Sequence, residues 1–356
     1  MRNLISLILL GTTFLFSSCI FSGEKGARVP VSRITVANGN SILTSGQNVQ
    51  IAVKVKVKEG DLASVRLYVD DSLIYSGKEE QFQVTLKSAN LCVGSHVIKS
   101  EAKDTQGGEG ESYGNFDLLS DVAPELLTYK ITKTLPHSTD NFTQGLQIVN
   151  GILYEGTGEY GKSGIFRMKF PSLQVITSRK MTKEYFGEGI TVLKGKLYQI
   201  TYKEQRGFVY DASTLAPLDS FTYENKEGWG LTNDGRYLIM SDGTEVLTFL
   251  DPATLKPVKR IGVADNMQKV TQINELEYIN GSIYANIWTT NTIIKIDPKT
   301  GKVLGRIILD DLLASVNNSP KPIDVMNGIA YDPCSGCLLI TGKYWPKMFE
   351  LKLTKL

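Results

Sequence analysis

A glycine-centred hairpin recurs five times between residue 126 and the end of the chain at residue 356, with its turns at Gly151, Gly195, Gly235, Gly281 and Gly336. A second turn, Asp-x-x-Thr, recurs at residues 211–215, 251–255 and 297–301, with a degenerate copy at residues 170–173. The units of about 40 to 55 residues have the size of a four-stranded propeller blade. Five units predict a five-bladed β-propeller over residues 126–356.

The two ends of this region predict how the ring closes. Residues 348–353 form an apolar strand at the end of the chain, and its expected outer neighbour is missing. Residues 127–135 precede the first unit as residues 255–263 precede the fourth. We therefore expect this early strand to complete the last blade, which leaves no free sheet edge at the seam.

The preceding part of the chain has a different pattern. Over residues 29–122, apolar and polar residues alternate in short runs, as at Val49, Ile51, Val53 and Val55, and turn residues separate the runs. Six or seven strands in about 95 residues are typical of an immunoglobulin-like sandwich. The fold prediction is therefore all-β: an immunoglobulin-like β-sandwich that acts as a spacer, a linker at residues 120–124, and the propeller.

The N-terminus indicates export. Arg2 precedes an apolar stretch over residues 5–16, and Ser17 and Ser18 precede Cys19. This end resembles a bacterial lipoprotein signal, with residues 1–18 removed, Cys19 lipidated and residues 19–28 acting as a tether. A plain cleaved signal peptide is the alternative. We expect a location in the bacterial cell envelope, facing the periplasm or the cell surface, with membrane contact through the lipid anchor only.

Composition removes several function classes. The chain has 39 Lys and Arg against 37 Asp and Glu, without a dense basic run, so nucleic acid is not an expected partner. His96 and His137 are the only histidines in the sequence, which leaves little material for a Ser-His-Asp triad or a histidine-rich zinc site. Cys334 and Cys337 flank a turn, and an exported protein permits a disulfide between them; Cys92 is then left unpaired and buried.

Five aligned strand beginnings locate a candidate site. Each innermost strand of a blade contributes one residue at the same place in the repeat, and pseudo-symmetry brings these residues to one mouth of the channel: Gln144, Glu188, Trp229, Asn274 and Asn327. A position that only packed would be apolar in every copy, whereas this one carries an acid, three amides and an indole. We interpret it as a ligand site; a polar channel that merely holds water is the alternative.

The same residues resemble a known family, the plant-type glutaminyl-peptide cyclotransferases, over residues 127–356. The similarity rests on Phe-Thr-Gln-Gly-Leu at 142–146, Phe-Gly-Glu-Gly at 186–189, Gly-Trp-Gly-Leu at 228–231, Asn-Glu-Leu-Glu-Tyr at 274–278 and Thr-Gly-Lys-Tyr-Trp-Pro-Lys at 341–347. The resemblance implies a five-bladed propeller that converts the N-terminal glutamine of peptides or proteins to pyroglutamate with loss of ammonia. It implies no required cofactor, although an axial divalent ion such as calcium stays open, and we expect a monomer.

The resemblance also implies roles for individual residues. Glu188 matches the family's acid and is the expected proton shuttle, with a pKa raised by partial enclosure between Phe142, Phe186 and Trp229. Lys343 matches a lysine that stabilises negative charge on the amide oxygen. The remaining expected substrate contacts are Gln144, Tyr202, Asn274, Trp288 and Asn327. Tyr202 stands where the family usually has tryptophan, so the shape of the slot departs from the family pattern there.

Two other functions compete with this interpretation. A metal-dependent propeller lactonase or hydrolase would use Glu188, Asn274 and Asn327 as oxygen ligands to an axial ion. A non-catalytic peptide-binding propeller of the envelope would use the same chamber without chemistry. Loss of activity on chelation favours the first, and an absence of turnover favours the second.

Overall fold

The N-terminal domain is a sandwich of two sheets. The computed structural model describes residues 29–36, 41–317, 319 and 321–354. Eight strands make up the domain: β1 (Val31–Val36), β2 (Ile42–Thr44), β3 (Asn48–Lys56), β4 (Leu62–Val69), β5 (Ser72–Gly77), β6 (Gln81–Lys87), β7 (Gly94–Asp104) and β8 (Glu109–Leu119). One sheet has the order β1-β3-β6 and the other β2-β8-β7-β4-β5. Every second residue of β3 is buried, and the inward residues of both sheets form one apolar core.

Two strands lead into the second domain, β9 (Glu125–Leu126) and β10 (Thr128–Pro136). The first sheet after them contains β11 (Thr143–Val149), β12 (Ile152–Thr157), β13 (Gly164–Lys169) and β14 (Gln174–Lys180). The second contains β15 (Gly187–Leu193), β16 (Lys196–Thr201), β17 (Arg206–Asp211) and β18 (Pro217–Thr222). The third contains β19 (Leu231–Asn233), β20 (Leu238–Met240), β21 (Val246–Leu250) and β22 (Pro257–Gly262).

The fourth sheet contains β23 (Ile273–Ile279), β24 (Ser282–Ile287), β25 (Thr292–Ile296) and β26 (Val303–Ile308), and β9 adds to β26 in parallel. A short helix, α1 (Asp310–Val316), precedes the fifth sheet, which contains β27 (Met326–Asp332), β28 (Cys337–Gly342) and β29 (Lys347–Thr354). The first strands of the five sheets pack against one another in a closed ring, β11-β15-β19-β23-β27 and back to β11. The sheets are thus arranged as propeller blades, and the prediction of an all-β chain with an immunoglobulin-like domain before a propeller is confirmed.

The seam between the last and the first blade closes as the sequence predicts. β10 pairs with β29 in antiparallel register, from Thr128 opposite Thr354 to Pro136 opposite Lys347. The fifth blade therefore has four strands, and its outermost strand comes from the beginning of the domain. This pairing covers the edge of β29, which would otherwise be open to another chain.

Glycines let the inner strands approach closely. A Cβ atom at Gly230 would collide with the carbonyl oxygen of Asn274, and one at Gly145 would lie 2.6 Å from the backbone nitrogen of Ile190. At the equivalent place in the fourth blade stands Glu275. Its buried carboxylate accepts hydrogen bonds from the backbone N–H groups of Leu146 (3.1 Å) and Ile329 (2.8 Å). One side chain thus joins the fourth blade to the first and fifth across the channel.

The two domains are in contact. The N–H of Val93 donates to the carbonyl oxygen of Thr300 (2.8 Å), and the N–H of Ser120 donates to that of Asp265 (2.9 Å). An ion pair between Lys269 and Asp117 (3.0 Å) lies in the same contact. The sandwich is therefore docked on the third and fourth blades.

The cysteine prediction requires correction. Cys334 and Cys337 are both free thiols, so the predicted disulfide between them is wrong. Asp332 holds the hairpin turn instead, accepting backbone hydrogen bonds from Cys334 (3.0 Å) and Ser335 (3.2 Å). Cys337 begins β28 with its side chain buried, whereas Cys334 is exposed, so the two thiols face different surroundings. Cys92 is half-buried rather than buried.

The export prediction falls outside the part of the chain that the structure describes. The signal segment 1–18, Cys19 and the tether 19–28 all precede the first described residue. Within the described ranges, no helix combines the length and apolar character needed to cross a bilayer.

Candidate active site

One cavity of about 400 Å³ opens at the mouth of the channel. Nine of the ten residues predicted for the site line it: Phe142, Gln144, Phe186, Glu188, Tyr202, Trp229, Asn274, Trp288 and Lys343. They come from all five blades, because each lies at the start of an inner strand or in a loop on the same face. Asn327, the tenth, does not line the cavity and lies behind Gln144.

Three side chains form a directed hydrogen-bond chain across the seam. The Asn327 amide donates through Nδ2 to Oε1 of Gln144 (3.1 Å) and to the carbonyl oxygen of Thr143 (3.0 Å). Gln144 in turn donates through Nε2 to Oε1 of Glu188 (2.9 Å). Because Asn327 fixes which end of the Gln144 amide is the acceptor, Gln144 presents its N–H to Glu188. The chain orients the carboxyl and leaves its second oxygen free of hydrogen bonds from the described residues.

The electrostatics of Glu188 suit proton transfer. Its side chain is 5% exposed, and this burial raises the pKa of the carboxyl well above its usual value. The positive charge of Lys343 partly offsets the effect, while Glu227 and Glu204 add to it. A carboxyl with a raised pKa both accepts and releases a proton more evenly near neutral pH than an ordinary glutamate does.

Lys343 is a buried cation in the same cavity. Burial lowers the pKa of its ammonium group, and the negative charges of Glu188 and Asp324 partly restore it. Nζ lies 4.5 Å from the centre of the Phe142 ring, a cation–π contact that favours the charged form. Lys343 lies in the loop between β28 and β29, and its N–H donates to the carbonyl oxygen of Val325, just before β27 (3.0 Å).

Aromatic rings form the walls. Trp229 and Trp288 meet edge to face with centroids 5.5 Å apart, and Nε1 of Trp229 donates to Glu227 (2.9 Å). Phe186 contacts Phe142 in the same manner at 6.0 Å and packs against Tyr202 at 5.7 Å. Tyr202 thus serves as a wall where the family pattern has a larger ring. The result is a narrow, largely apolar slot with the carboxyl of Glu188 inside it.

Comparison with known proteins shows the family of the chain. The model of a family described as glutamine cyclotransferase matches residues 100–353, and that of a bacterial Ig domain matches residues 30–99. The chain belongs to the glutamine cyclotransferase family. A glutaminyl-peptide cyclotransferase from Arabidopsis thaliana is 40% identical over 235 residues, covering 65% of this chain and 73% of that protein. The crystal structure of Myxococcus xanthus glutaminyl cyclase has a TM-score of 0.61 at 35% identity, covering 65% of this chain and 99% of that chain.

The family match extends further toward the N-terminus than the propeller does. It begins at residue 100, within β7, whereas the first strand that joins a blade, β9, begins at Glu125. The last two strands of the sandwich, β7 and β8, therefore fall wholly or partly inside the region matched by the cyclotransferase family.

The cavity of this family member contains residues that the sequence interpretation missed. Thr289, Asp324 and Val325 lie at its rim. Thr289 and Asp324 belong to loops rather than to the repeated strand starts, so the five-fold alignment carried no signal for them, whereas Val325 begins the fifth aligned segment and was not singled out. Asn274 was predicted, and the structure adds that its Oδ1 is buried without a hydrogen-bond partner.

The donor set does not fit an axial calcium ion. Ca²⁺ takes six to eight oxygen ligands. Of the buried residues that line the cavity, Gln144, Glu188 and Asn274 carry side-chain oxygens; that of Gln144 already accepts from Asn327, and Lys343 brings an ammonium group into the same cavity. The carboxylate of Glu275, also near the axis, already binds two backbone N–H groups. The cavity therefore combines few free oxygen ligands with a cationic side chain, which does not suit such an ion.

Proposed function

We propose that this protein is a glutaminyl-peptide cyclotransferase that acts on peptides or proteins beginning with glutamine. The observation that carries the proposal is a buried carboxyl, Glu188, oriented by Gln144 inside an aromatic slot and accompanied by a lysine. Membership of the glutamine cyclotransferase family supports it.

In the proposed reaction, the α-amine of the substrate attacks the carbon of its own γ-carboxamide. The new C–N bond closes a five-membered lactam, and the bond to the amide nitrogen breaks. One proton must leave the attacking amine and one must reach the departing nitrogen, which is released as ammonia. Glu188 in its ionised form takes the first proton and delivers it to the leaving group, so no net change occurs at the enzyme.

The other residues hold the reacting groups in place. The free Oδ1 of Asn274 accepts a hydrogen bond from the substrate amine or carboxamide, which supplies the partner that this buried oxygen lacks. Lys343 stabilises negative charge that develops on the carboxamide oxygen. Trp229 and Trp288 confine the glutamine side chain to a folded conformation, in which the amine and the carboxamide are close. No metal or organic cofactor takes part in this mechanism.

We further propose that the protein is a lipoprotein of the bacterial cell envelope, active as a monomer. The apolar stretch over residues 5–16 and the small residues before Cys19 support the lipid anchor. Replacing Cys19 by alanine should move the protein from the membrane fraction to the soluble fraction. If the Cys19→Ala protein stays with the membrane, the anchor lies elsewhere.

The decisive experiment is mass spectrometry of a glutamine-initiated peptide after incubation with the purified protein. We expect a product lighter by the mass of ammonia and stoichiometric ammonia release, faster than in buffer. A peptide that begins with asparagine serves as the control, because its shorter side chain cannot form the five-membered lactam. No turnover of glutamine-initiated peptides, with or without added divalent metals, would contradict the proposed activity.

A further inference from the structure

The mouth of the cavity is where the rest of a peptide substrate must leave. Only the first residue cyclises, so the second residue lies at the rim. Of the residues that line the cavity, three are exposed to solvent: Trp288, Thr289 and Asp324. Asp324 is the only charged member of this exposed set.

Asp324 also lies where the cavity adjoins two surface grooves. A shallow groove lined by Asp140, Lys321 and Tyr344 includes Asp324, and so does a second groove lined by Asn291 and Leu313. A peptide that leaves the cavity toward either groove therefore passes this carboxylate.

The backbone of Asp324 is fixed by two hydrogen bonds. Its N–H donates to the carbonyl oxygen of Lys343 (2.9 Å), and its carbonyl oxygen accepts from Nε1 of Trp345 (2.9 Å). The carboxylate accepts a hydrogen bond from the N–H of Val325 (2.6 Å). No ion pair of Asp324 occurs among the residues that the structure describes.

Other charges on this face are mostly neutralised in pairs. Lys321 pairs with Asp140 (2.7 Å), Lys162 with Glu159 (2.9 Å), and Lys203 with Glu227 (3.6 Å). Glu204 accepts a hydrogen bond from the hydroxyl of Tyr160 (2.8 Å) and adds a further negative charge near the site. The negative charges of Glu188 and Asp324 both act on the buried ammonium group of Lys343 and raise its pKa. The exposed rim is thus negative at the place where the substrate leaves.

We propose that Asp324 determines specificity by charge, favouring substrates with lysine or arginine directly after the N-terminal glutamine and disfavouring those with an acidic residue there. The proposal rests on the cyclotransferase activity proposed above. An exposed ion pair changes affinity only a few-fold. Attraction of a basic residue and repulsion of an acidic one together predict a ratio of kcat/KM of roughly five between the two substrates at low salt.

The test compares three peptides, Gln-Lys-Ala-Ala, Gln-Ala-Ala-Ala and Gln-Glu-Ala-Ala, with wild-type protein and with Asp324→Asn, at low and high salt. In the wild type, kcat/KM should fall in that order, and the ratio should shrink at high salt. In Asp324→Asn, the three values should converge. Asp219→Asn is the matched control, because Asp219 is exposed on an outer strand and also accepts the N–H of the following residue (2.7 Å).

The outcomes separate this inference from the proposed function. If no peptide is turned over, the cyclotransferase activity itself is wrong. If all peptides react but the wild type does not distinguish lysine from glutamate, the specificity role is wrong. If Asp324→Asn lowers all three rates by the same factor, the carboxylate acts on Lys343 or on the substrate amine instead, which also overturns the proposal.

Discussion

Replacing Glu188 by glutamine removes the proposed proton carrier and keeps the size of the side chain. The amide oxygen of the new residue still accepts the hydrogen bond from Nε2 of Gln144, now 2.9 Å long. The slot should therefore keep its shape, and KM should change little. Loss of a general acid–base group lowers kcat by roughly 10²- to 10⁴-fold, or about 3 to 5 kcal/mol of transition-state stabilisation.

The effect of Glu188→Gln on stability should also depend on pH, and the sign of that dependence follows from the pKa of Glu188. Burial raises the pKa of Glu188 in the folded protein, so the folded state binds this proton more tightly than the unfolded state does. The contribution of Glu188 to stability is therefore greatest below its unfolded pKa of about 4.3 and declines as pH rises through the folded pKa. Glu188→Gln has no such group, so its melting temperature relative to wild type should be higher at pH 8 than at pH 4.

The assay is steady-state release of ammonia from a glutamine-initiated peptide, with thermal unfolding as the check of folding. Glu204→Gln is the matched control, because this carboxyl lies near Glu188 without lining the cavity. The control should keep kcat within a few-fold of wild type. A folded Glu188→Gln protein with near-wild-type kcat would refute the proton shuttle.

Three further changes test the surroundings of the site. Lys343→Met should lower kcat and move the acidic limb of the pH–rate profile to higher pH, because Lys343 is the cation that lowers the pKa of Glu188; a limb that moves to lower pH would contradict this assignment. Glu275→Leu should destabilise the protein by about 2 to 6 kcal/mol in urea unfolding, because two buried N–H groups lose their acceptor, and unchanged stability would show that they find other partners. His137→Gln should lower the free energy of unfolding by about 3 to 5 kcal/mol at pH 6. It removes the cation whose Nε2 lies 2.9 Å from Oε1 of Glu155 and leaves a buried carboxylate without that partner. Equal stability of mutant and wild type would contradict a charged pair.

The pH dependence of the last pair follows from both partners. Burial lowers the pKa of His137, but the charge of Glu155 and the hydrogen bond to it outweigh burial and raise it. Burial raises the pKa of Glu155, but the charge of His137 and hydrogen bonds from His137, Thr143 and Asn141 together outweigh burial and lower the pKa. The stability that charged His137 contributes is lost as pH rises through the raised pKa of this histidine. The stability that ionised Glu155 contributes is lost as pH falls through the lowered pKa of this carboxyl. The pair therefore contributes most between about pH 4.3 and 6.5, the two unfolded values.

Much of the fold was predictable because repetition encodes it. The spacing of the glycine hairpins locates the sheets, and the unpaired strand at the end of the chain predicts that β10 joins β29. The strand starts at Gln144, Glu188, Trp229 and Asn274 were predictable for the same reason, since equivalent positions in a closed ring meet at the axis.

The site and fold features that the sequence did not predict lie where the chain departs from the repeated blade pattern. Asp324 and Thr289 lie in loops that differ from blade to blade, so no aligned column contains them. Glu275 takes the place of a glycine, and only coordinates reveal that its carboxylate reaches the strands of two other blades. The cysteine pair was misassigned because sequence spacing does not report side-chain direction; one thiol faces the core and the other faces solvent.

Closure of the ring and orientation of Glu188 depend on the same contact. Gln144 belongs to the first blade and Asn327 to the fifth, so their hydrogen bond crosses the seam. Without Asn327, the Gln144 amide is free to rotate and to turn its oxygen toward Glu188, where two acceptors would repel each other. The pairing of β10 with β29 keeps the two blades together, and Glu275 binds the backbone two residues beyond each amide. The strand that closes the propeller therefore also supports the contact that orients the carboxyl of Glu188.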